Sequence, residues 1–262
     1  MSDHQKAADL LLRLRQNGDI VKNIPDELCP NSIDAGYDIQ EALVANLCEA
    51  AGSTVVGYKV GCTSKNAQEA LNAPEPFRGQ LLGATTYQSG KVLEAANFHV
   101  RLIEPEFGFK MGADVPAADV PYTADTIRPF ISHLFPAIEV ASHHFVGFEG
   151  VSAPEFIADN AIHGFVVMGE LIEDWQSVDL AQHEVVLNLN GQKFGSDTGD
   201  KVLGHPLNVM AWLANHGQAT GKSLKAGDLI ISGTVNMIYA AQQGDHLEAD
   251  FGVFGKVELS FR

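Results

Sequence analysis

Apolar positions recur at helical spacing early in the chain and alternate over most of the remainder. Leu10, Leu11 and Leu14 make one helical stripe, and Ile39, Leu43, Val44 and Leu47 make a second that Gly52 stops. Between them Ile24-Pro25 and Cys29-Pro30-Asn31 mark a loop. Residues 1–53 therefore read as a helical cap region and residues 54–262 as a strand-rich core, with one continuous domain as the alternative. From Thr54 the period shortens to two, and Gly57, Lys59 and Gly61 share one side of a strand opposite Val56, Tyr58 and Val60. The 112–121 stretch is turn-rich, and 123–134 is predicted as a short helix. Ser152-x-x-Glu155 with Pro154 is a capping box that opens a helix ending near Asp159-Asn160. Residues 185–189 and 192–194 around Asn190-Gly191 predict a tight hairpin. A helix over 206–216 and strands over 228–234, 246–251 and 256–261 complete the pattern. Helices first and hairpin-connected strands later predict an α+β fold, not alternating βαβ winding.

At 262 residues the chain is long enough to bury a substantial interior. Lys and Arg total 17 against 33 Asp and Glu, and the net charge of −16 argues against nucleic acid or an anionic membrane as the main partner. Cys29, Cys48 and Cys62 are an odd, scattered set, which predicts free thiols in a reducing compartment. Polar residues follow Met1 directly and no apolar run approaches membrane-spanning length, so a cytoplasmic location is expected.

The candidate chemistry lies in Glu104-Pro105-Glu106 and in Glu139 of Phe-Pro-Ala-Ile-Glu-Val. On an extended strand Glu104 and Glu106 share a face while Ile103, Phe107 and Phe109 point the other way. That pattern alone also fits a solvated strand face. Glu139, however, sits between Ile138 and Val140, and a buried carboxylate needs a proton, a cation or several donors. Three carboxylates from two strands suit Mg2+ or Mn2+ better than zinc, because the cysteines are unpaired and the histidines lack a helical ligand spacing. Lys59 between two glycines reads either as an exposed lysine or as an ammonium with room beside it for a ligand. His143 and His144 are adjacent, so on a strand at most one would aim at such a metal. The helix end near Asp159 brings Asn160 and His163 towards a cleft, although both also fit as capped or satisfied polar groups. Cys62 reads as a small buried hydrophobe. Gly-x-Ser-x-Gly, Walker A and dinucleotide glycine motifs are missing.

Taken in order, Gly57-Tyr-Lys-Val-Gly61, Glu104-Pro-Glu106, Pro136-Ala-Ile-Glu139, Ala158-Asp-Asn-Ala161 and Gly227-Asp-Leu-Ile-Ile-Ser-Gly-Thr234 resemble the fumarylacetoacetase superfamily. Within it they look most like the 2-keto-4-pentenoate hydratase and 4-oxalocrotonate decarboxylase branch. The resemblance implies a mixed β-roll core with helices before it. It also implies Mg2+ or Mn2+ held by Glu104, Glu106 and Glu139, with Lys59 as acid/base beside the substrate and its pKa lowered by burial and the cation. His163 and His143 are further acid/base candidates, and Asn160, Ser232 and Thr234 are expected around the substrate. The implied reaction adds water to a 2-hydroxy-2,4-dienoate, through its 2-oxo tautomer, to give a 4-hydroxy-2-oxo acid in aromatic-compound catabolism. Decarboxylation of a 2-oxo dioate or C–C hydrolysis is the alternative within the superfamily. A silent 2-oxo-acid-binding subunit is the alternative of another class. A homo-oligomer, and association with a pathway enzyme, are also expected by resemblance. Two departures stand out: Gly79-Gln-Leu-Leu82 runs into Gly83-Ala84, and Ala141-Ser-His-His144 follows the third glutamate, where acidic residues are common in hydratase-like members.

Overall fold

The computed structural model describes residues 2–235 and 237–262. Ser2 caps α1 (Asp3–Asn17) and Ser32 caps α2 (Ile33–Ala51), each through its hydroxyl, and Gly18 and Gly52 end them in the left-handed conformation. The chain continues through β1 (Val55–Gly61), α3 (Lys65–Leu71), β2 (Phe77–Leu82), β3 (Thr86–Gln88), β4 (Lys91–Leu93) and β5 (Leu102–Met111). Then come α4 (Ala124–Ile127), β6 (Ile131–Ala141), α5 (Ala153–Ala158), β7 (His163–Met168) and the hairpin of β8 (Glu184–Leu189) and β9 (Gln192–Thr198). The chain closes with α6 (Pro206–Thr220), β10 (Leu229–Thr234), β11 (Tyr239–Ala240), β12 (His246–Asp250) and β13 (Lys256–Phe261).

An eight-stranded sheet runs β2-β1-β10-β5-β6-β7-β3, with β11 added beside β5, and a five-stranded sheet runs β4-β13-β12-β8-β9. Both are mixed, because β1 pairs in parallel with β10, β3 with β7 and β13 with β4. This is the expected α+β roll. Its main core includes Ile103, Phe107, Phe109, Ile138 and Val140 from the larger sheet and Val185, Leu187, Leu247, Val257 and Leu259 from the smaller. The glutamates point to the other face of the larger sheet, beside Phe135, Ala137, Val166 and Ile231.

Several local expectations hold. Asn190 and Gly191 both take positive φ in the hairpin turn, and the Ser152–Glu155 capping box closes in both directions. The predicted 123–134 helix is corrected: α4 stops at Ile127, a 3-10 turn carries Arg128–Phe130, and Ile131 already belongs to β6. Pro129 cannot donate the amide a continuing helix needs, and Ile131 and Leu134 are buried as parts of β6 in the main core. The helix predicted over 206–216 runs four residues further, to Thr220, where Gly221 ends it. No helix among the described residues is long and apolar enough to cross a membrane.

α1 and α2 pack with α5 and with Phe77 and Phe145 into a second apolar cluster. From it Arg15 reaches the site. Its Nε donates to Asp159 Oδ1 at 2.7 Å, Nη2 to the Asp159 carbonyl at 2.8 Å and Nη1 to the His163 carbonyl at 3.0 Å. These bonds bracket Asn160, Ala161 and Ile162, three successive residues at φ 52°, 51° and 54°. Left-handed backbone costs about 1–2 kcal/mol per non-glycine residue, so this turn persists only because its surroundings hold it. Arg15→Ala leaves the fully buried Asp159 without its cation, and the expected loss is about 3 kcal/mol, read from the denaturant midpoint at unchanged m.

Candidate metal centre

Glu104 on β5 lies directly across from Glu139 on β6, and Glu106 across from Ala137, so the antiparallel register places all three carboxylates on one face. One ligand atom from each lies within 4.8 Å of the others. Glu106 and Glu139 are fully buried, and Glu104 keeps some accessible surface in an otherwise crowded setting. The solvated-face alternative is therefore excluded for this strand. Like charges facing each other across a ladder are destabilising, so this arrangement needs compensation.

The protein supplies part of it. The Gly233 amide donates to Glu106 Oε2 at 2.6 Å. Gly233 has φ 89°, and a Cβ there would collide with Thr63 Oγ1, so only glycine presents this amide. His163 Nδ1 contacts Glu139 Oε1 at 2.7 Å. Lys59 Nζ lies 3.2 Å from Glu139 Oε2, an ion-pair contact without hydrogen-bond angles, and donates to the Ala161 carbonyl at 3.1 Å. Glu106 Oε1 and Glu139 Oε2 are left without a hydrogen-bond donor. Buried carboxylate oxygens without donors, converging on one point, are a hard donor set that fits an oxygen-preferring divalent cation.

Charge is unevenly shared. Burial and the Glu139 charge push Glu104 up to about 7 and Glu106 well above the usual carboxylate range. Burial also raises Glu139, but Lys59 and His163 outweigh it and hold that carboxyl at about 2. Lys59 departs from expectation. Burial pushes its pKa down, but Glu139, Glu104 and Glu106 push it up more strongly, so it stands above its ordinary value as an ammonium. Neutralising the carboxylates would remove that upward pull and leave burial to act. Burial lowers His163 against the pull of Glu139, and a neutral ring donating from Nδ1 leaves Nε2, which has no partner, as an acceptor.

Lys59 and Glu104 open into a cavity of about 650 Å3, whose walls include Cys62, Thr63, Phe77, Ala161, Gly233 and Thr234. The remaining expected residues are placed less centrally. Asn160 is buried with its amide spent on Gln80, accepting from its N–H at 2.7 Å and donating to its carbonyl at 2.9 Å. It braces the left-handed turn. Ser232 is buried off the cavity wall, whereas Thr234 is on it and donates to the Met237 carbonyl at 3.2 Å. β6 ends at Ala141, so His143 and His144 do not alternate on a strand; both are buried away from the cavity. His143 Nδ1 accepts from the Phe145 amide at 3.2 Å, and burial, with Arg15 nearby, holds His144 at about 3. Cys62 lines the cavity with its thiol pushed up by burial to about 11, and all three cysteines are free.

Sequence reasoning missed Arg15, the Gly233 amide, the Ala161 carbonyl and α3. Arg15 could have been found, since it stands one helical turn beyond Leu11 on the buried stripe of α1. The backbone groups carry no side-chain signal.

Residues 62–262 match the family described as "Fumarylacetoacetate (FAA) hydrolase C-terminal". The chain belongs to this family. Among characterised relatives, it is 31% identical to 2-hydroxyhexa-2,4-dienoate hydratase of Comamonas testosteroni over 88% of this chain and 86% of the relative. It is 28% identical to 2-keto-4-pentenoate hydratase of Paraburkholderia xenovorans (strain LB400) over 98% of this chain and 94% of the relative. In three dimensions it resembles 4-oxalocrotonate decarboxylase from Pseudomonas putida G7, complexed with magnesium and adipate, with a TM-score of 0.91 at 24% identity over 99% and 97% of the two chains.

Two outcomes test the centre. Mg2+ or Mn2+ at about a hundredfold over Kd is expected to raise Tm by about 5–10 °C, and Glu106→Gln to remove most of that gain. Because Glu104 is pushed up to about 7 and Glu106 is also raised, these carboxyls must lose protons to bind a cation. Calorimetric titration should therefore show affinity falling as pH drops from 8 to 6, with proton release on binding.

Proposed function

We propose that this protein is a divalent-metal-dependent hydratase that converts a 2-hydroxy-2,4-dienoate, through its 2-oxo tautomer, to a 4-hydroxy-2-oxo acid. The observation that carries the reading is the buried Lys59 ammonium, 3.2 Å from the nearest Glu139 oxygen and lining a cavity also lined by Glu104. The hydratase names of the two relatives support it.

Glu104, Glu106 and Glu139 would hold Mg2+ or Mn2+. When bound, the cation supplies the positive charge that stabilises an enolate, an effect of several kcal/mol. Lys59 then moves protons. Its ammonium gives a proton to C5 of the dienol and regains one as the 2-hydroxyl becomes the 2-oxo group. The resulting 2-oxo-3-enoate accepts water oxygen at C4 and a proton at C3. His163, bonded to Glu139, fixes that carboxylate and keeps Nε2 free to accept a proton. Thr234 and Gly233, which line the same cavity, would lie against the substrate. Asn160 acts through the turn that carries the Ala161 carbonyl. A 2-oxo-acid decarboxylase, favoured by the likeness in fold to 4-oxalocrotonate decarboxylase, would use the same lysine and carboxylates.

Ultraviolet monitoring of 2-hydroxypenta-2,4-dienoate with Mg2+ or Mn2+ tests the reading. The expected outcome is loss of dienol absorbance with 4-hydroxy-2-oxopentanoate detected by mass spectrometry. CO2 release from 4-oxalocrotonate without hydration would favour the decarboxylase, and metal binding without turnover would favour a silent subunit. Lys59→Met is expected to lower kcat by about a hundredfold or more while metal binding persists, and unchanged turnover would remove the lysine from the mechanism.

A further inference from the structure

The cavity is larger and more apolar than a five-carbon acid requires. Its volume of about 650 Å3 falls within the range of pockets that enclose drug-sized ligands. Polar groups gather at the Lys59 and Glu104 end and along Thr63, Ser64 and Asn66. Elsewhere the walls come from Leu71, Phe77, Phe148, Phe156, Ile162 and Ile238. Phe148 and Phe156 pack at a centroid distance of 5.4 Å, and Phe148 and Ile238 are 46% and 52% exposed at the mouth. Cys62, protonated at neutral pH, adds another weakly polar surface.

The charges on the cavity wall argue in the same direction. Among the described residues, the cations on the cavity wall are Lys59, engaged with Glu139, and Lys201. Lys201 is already shared by Asp200 at 3.2 Å and Asp197 at 3.6 Å. The other charged group away from the carboxylate cluster is Glu149. A second carboxylate on the substrate would meet Glu149 and a lysine already paired with two carboxylates, and among the described residues no arginine lines the cavity to receive it.

We infer that the chamber formed by α3, the Phe148 segment and Ile238 is a distal subsite for an apolar substituent. On that inference the preferred substrates are 2-hydroxydienoates extended by an alkyl or aryl group, and dioates are selected against. This assignment rests on the hydratase reading for the reaction but not for the binding preference. Burying each added methylene contributes about 0.8 kcal/mol, which is about fourfold in kcat/KM.

The test compares 2-hydroxydienoates bearing hydrogen, methyl, propyl, phenyl or carboxylate at the distal end, with Mg2+ present. Rising kcat/KM with apolar length, and a dioate at least about tenfold poorer than its alkyl counterpart, is the expected result. Ala67→Phe, which fills the α3 side, and Phe148→Ala, which removes the wall, should each lower the long-to-short ratio several-fold. Hydration of the short dienoate with a flat series, or with the dioate preferred, overturns the subsite and leaves the hydratase reading standing. If no dienoate turns over, the hydratase reading fails, and binding of pyruvate, 2-oxohexanoate, 2-oxononanoate and 2-oxoadipate to the Mg2+-loaded protein decides the subsite alone. Affinity rising along the alkyl series supports it. Equal affinities, or tightest binding of 2-oxoadipate, overturn it.

Discussion

Three glutamates crowded onto one buried sheet face, with a single lysine to balance them, are the constraint around which the rest of this structure is arranged. In a folded protein such a set is stable only if protons, donors or cations compensate each charge. Here the compensation is partial and asymmetric. Glu139 takes the lysine and the histidine and stays ionised, while Glu104 and Glu106 shift towards the protonated form. The oxygens left without donors are what make the cluster fit a cation.

The same constraint explains several residues that do no chemistry. Gly233 must lack a side chain so that its amide can reach Glu106 past Thr63. Gly79 is equally confined, because a Cβ there would lie 2.6 Å from the Asn160 carbonyl and 3.0 Å from Lys59 Cγ. The left-handed turn through Ala161 puts a carbonyl under the lysine ammonium, and Arg15 and Asn160 hold that turn from both sides. Thus α1, outside the segment that matches the family, is connected to Lys59 through the hydrogen-bonded turn at residues 159–163. α1 supports the site as well as packing in the second apolar cluster.

The cavity wall combines the polar Lys59 and Glu104 with a larger apolar remainder. In the proposed reaction the carboxylates and Lys59 would act on the 2-oxo or dienol end, and Phe148, Phe156 and Ile238, which line the same cavity, would meet the distal group. His143 and His144, which follow the third glutamate where acidic residues are common in hydratase-like members, do not line the cavity. Both are folded into the packing behind the site, and His163 alone among the three touches a candidate ligand.

Much of this was legible in the chain because it depends on local periodicity and side-chain chemistry. The capping box at Ser152, the hairpin at Asn190-Gly191, the terminal strand and the common face of Glu104 and Glu106 are all set by spacing, since alternation along a strand is a local rule. The 123–134 helix misled because Pro129 and the pull of the main core act against a pattern that locally resembles a helix. Lys59 could be singled out, but not the sign of its pKa shift, which depends on three carboxylates brought to it from β5 and β6. Local spacing and residue type set most of the elements, though not α3 or the end of α4, and the supply of hard ligands. Which charges meet, which oxygens lack donors and what walls the cavity follow from the packing of the whole chain, because burial and electrostatic coupling depend on distances between segments far apart in sequence.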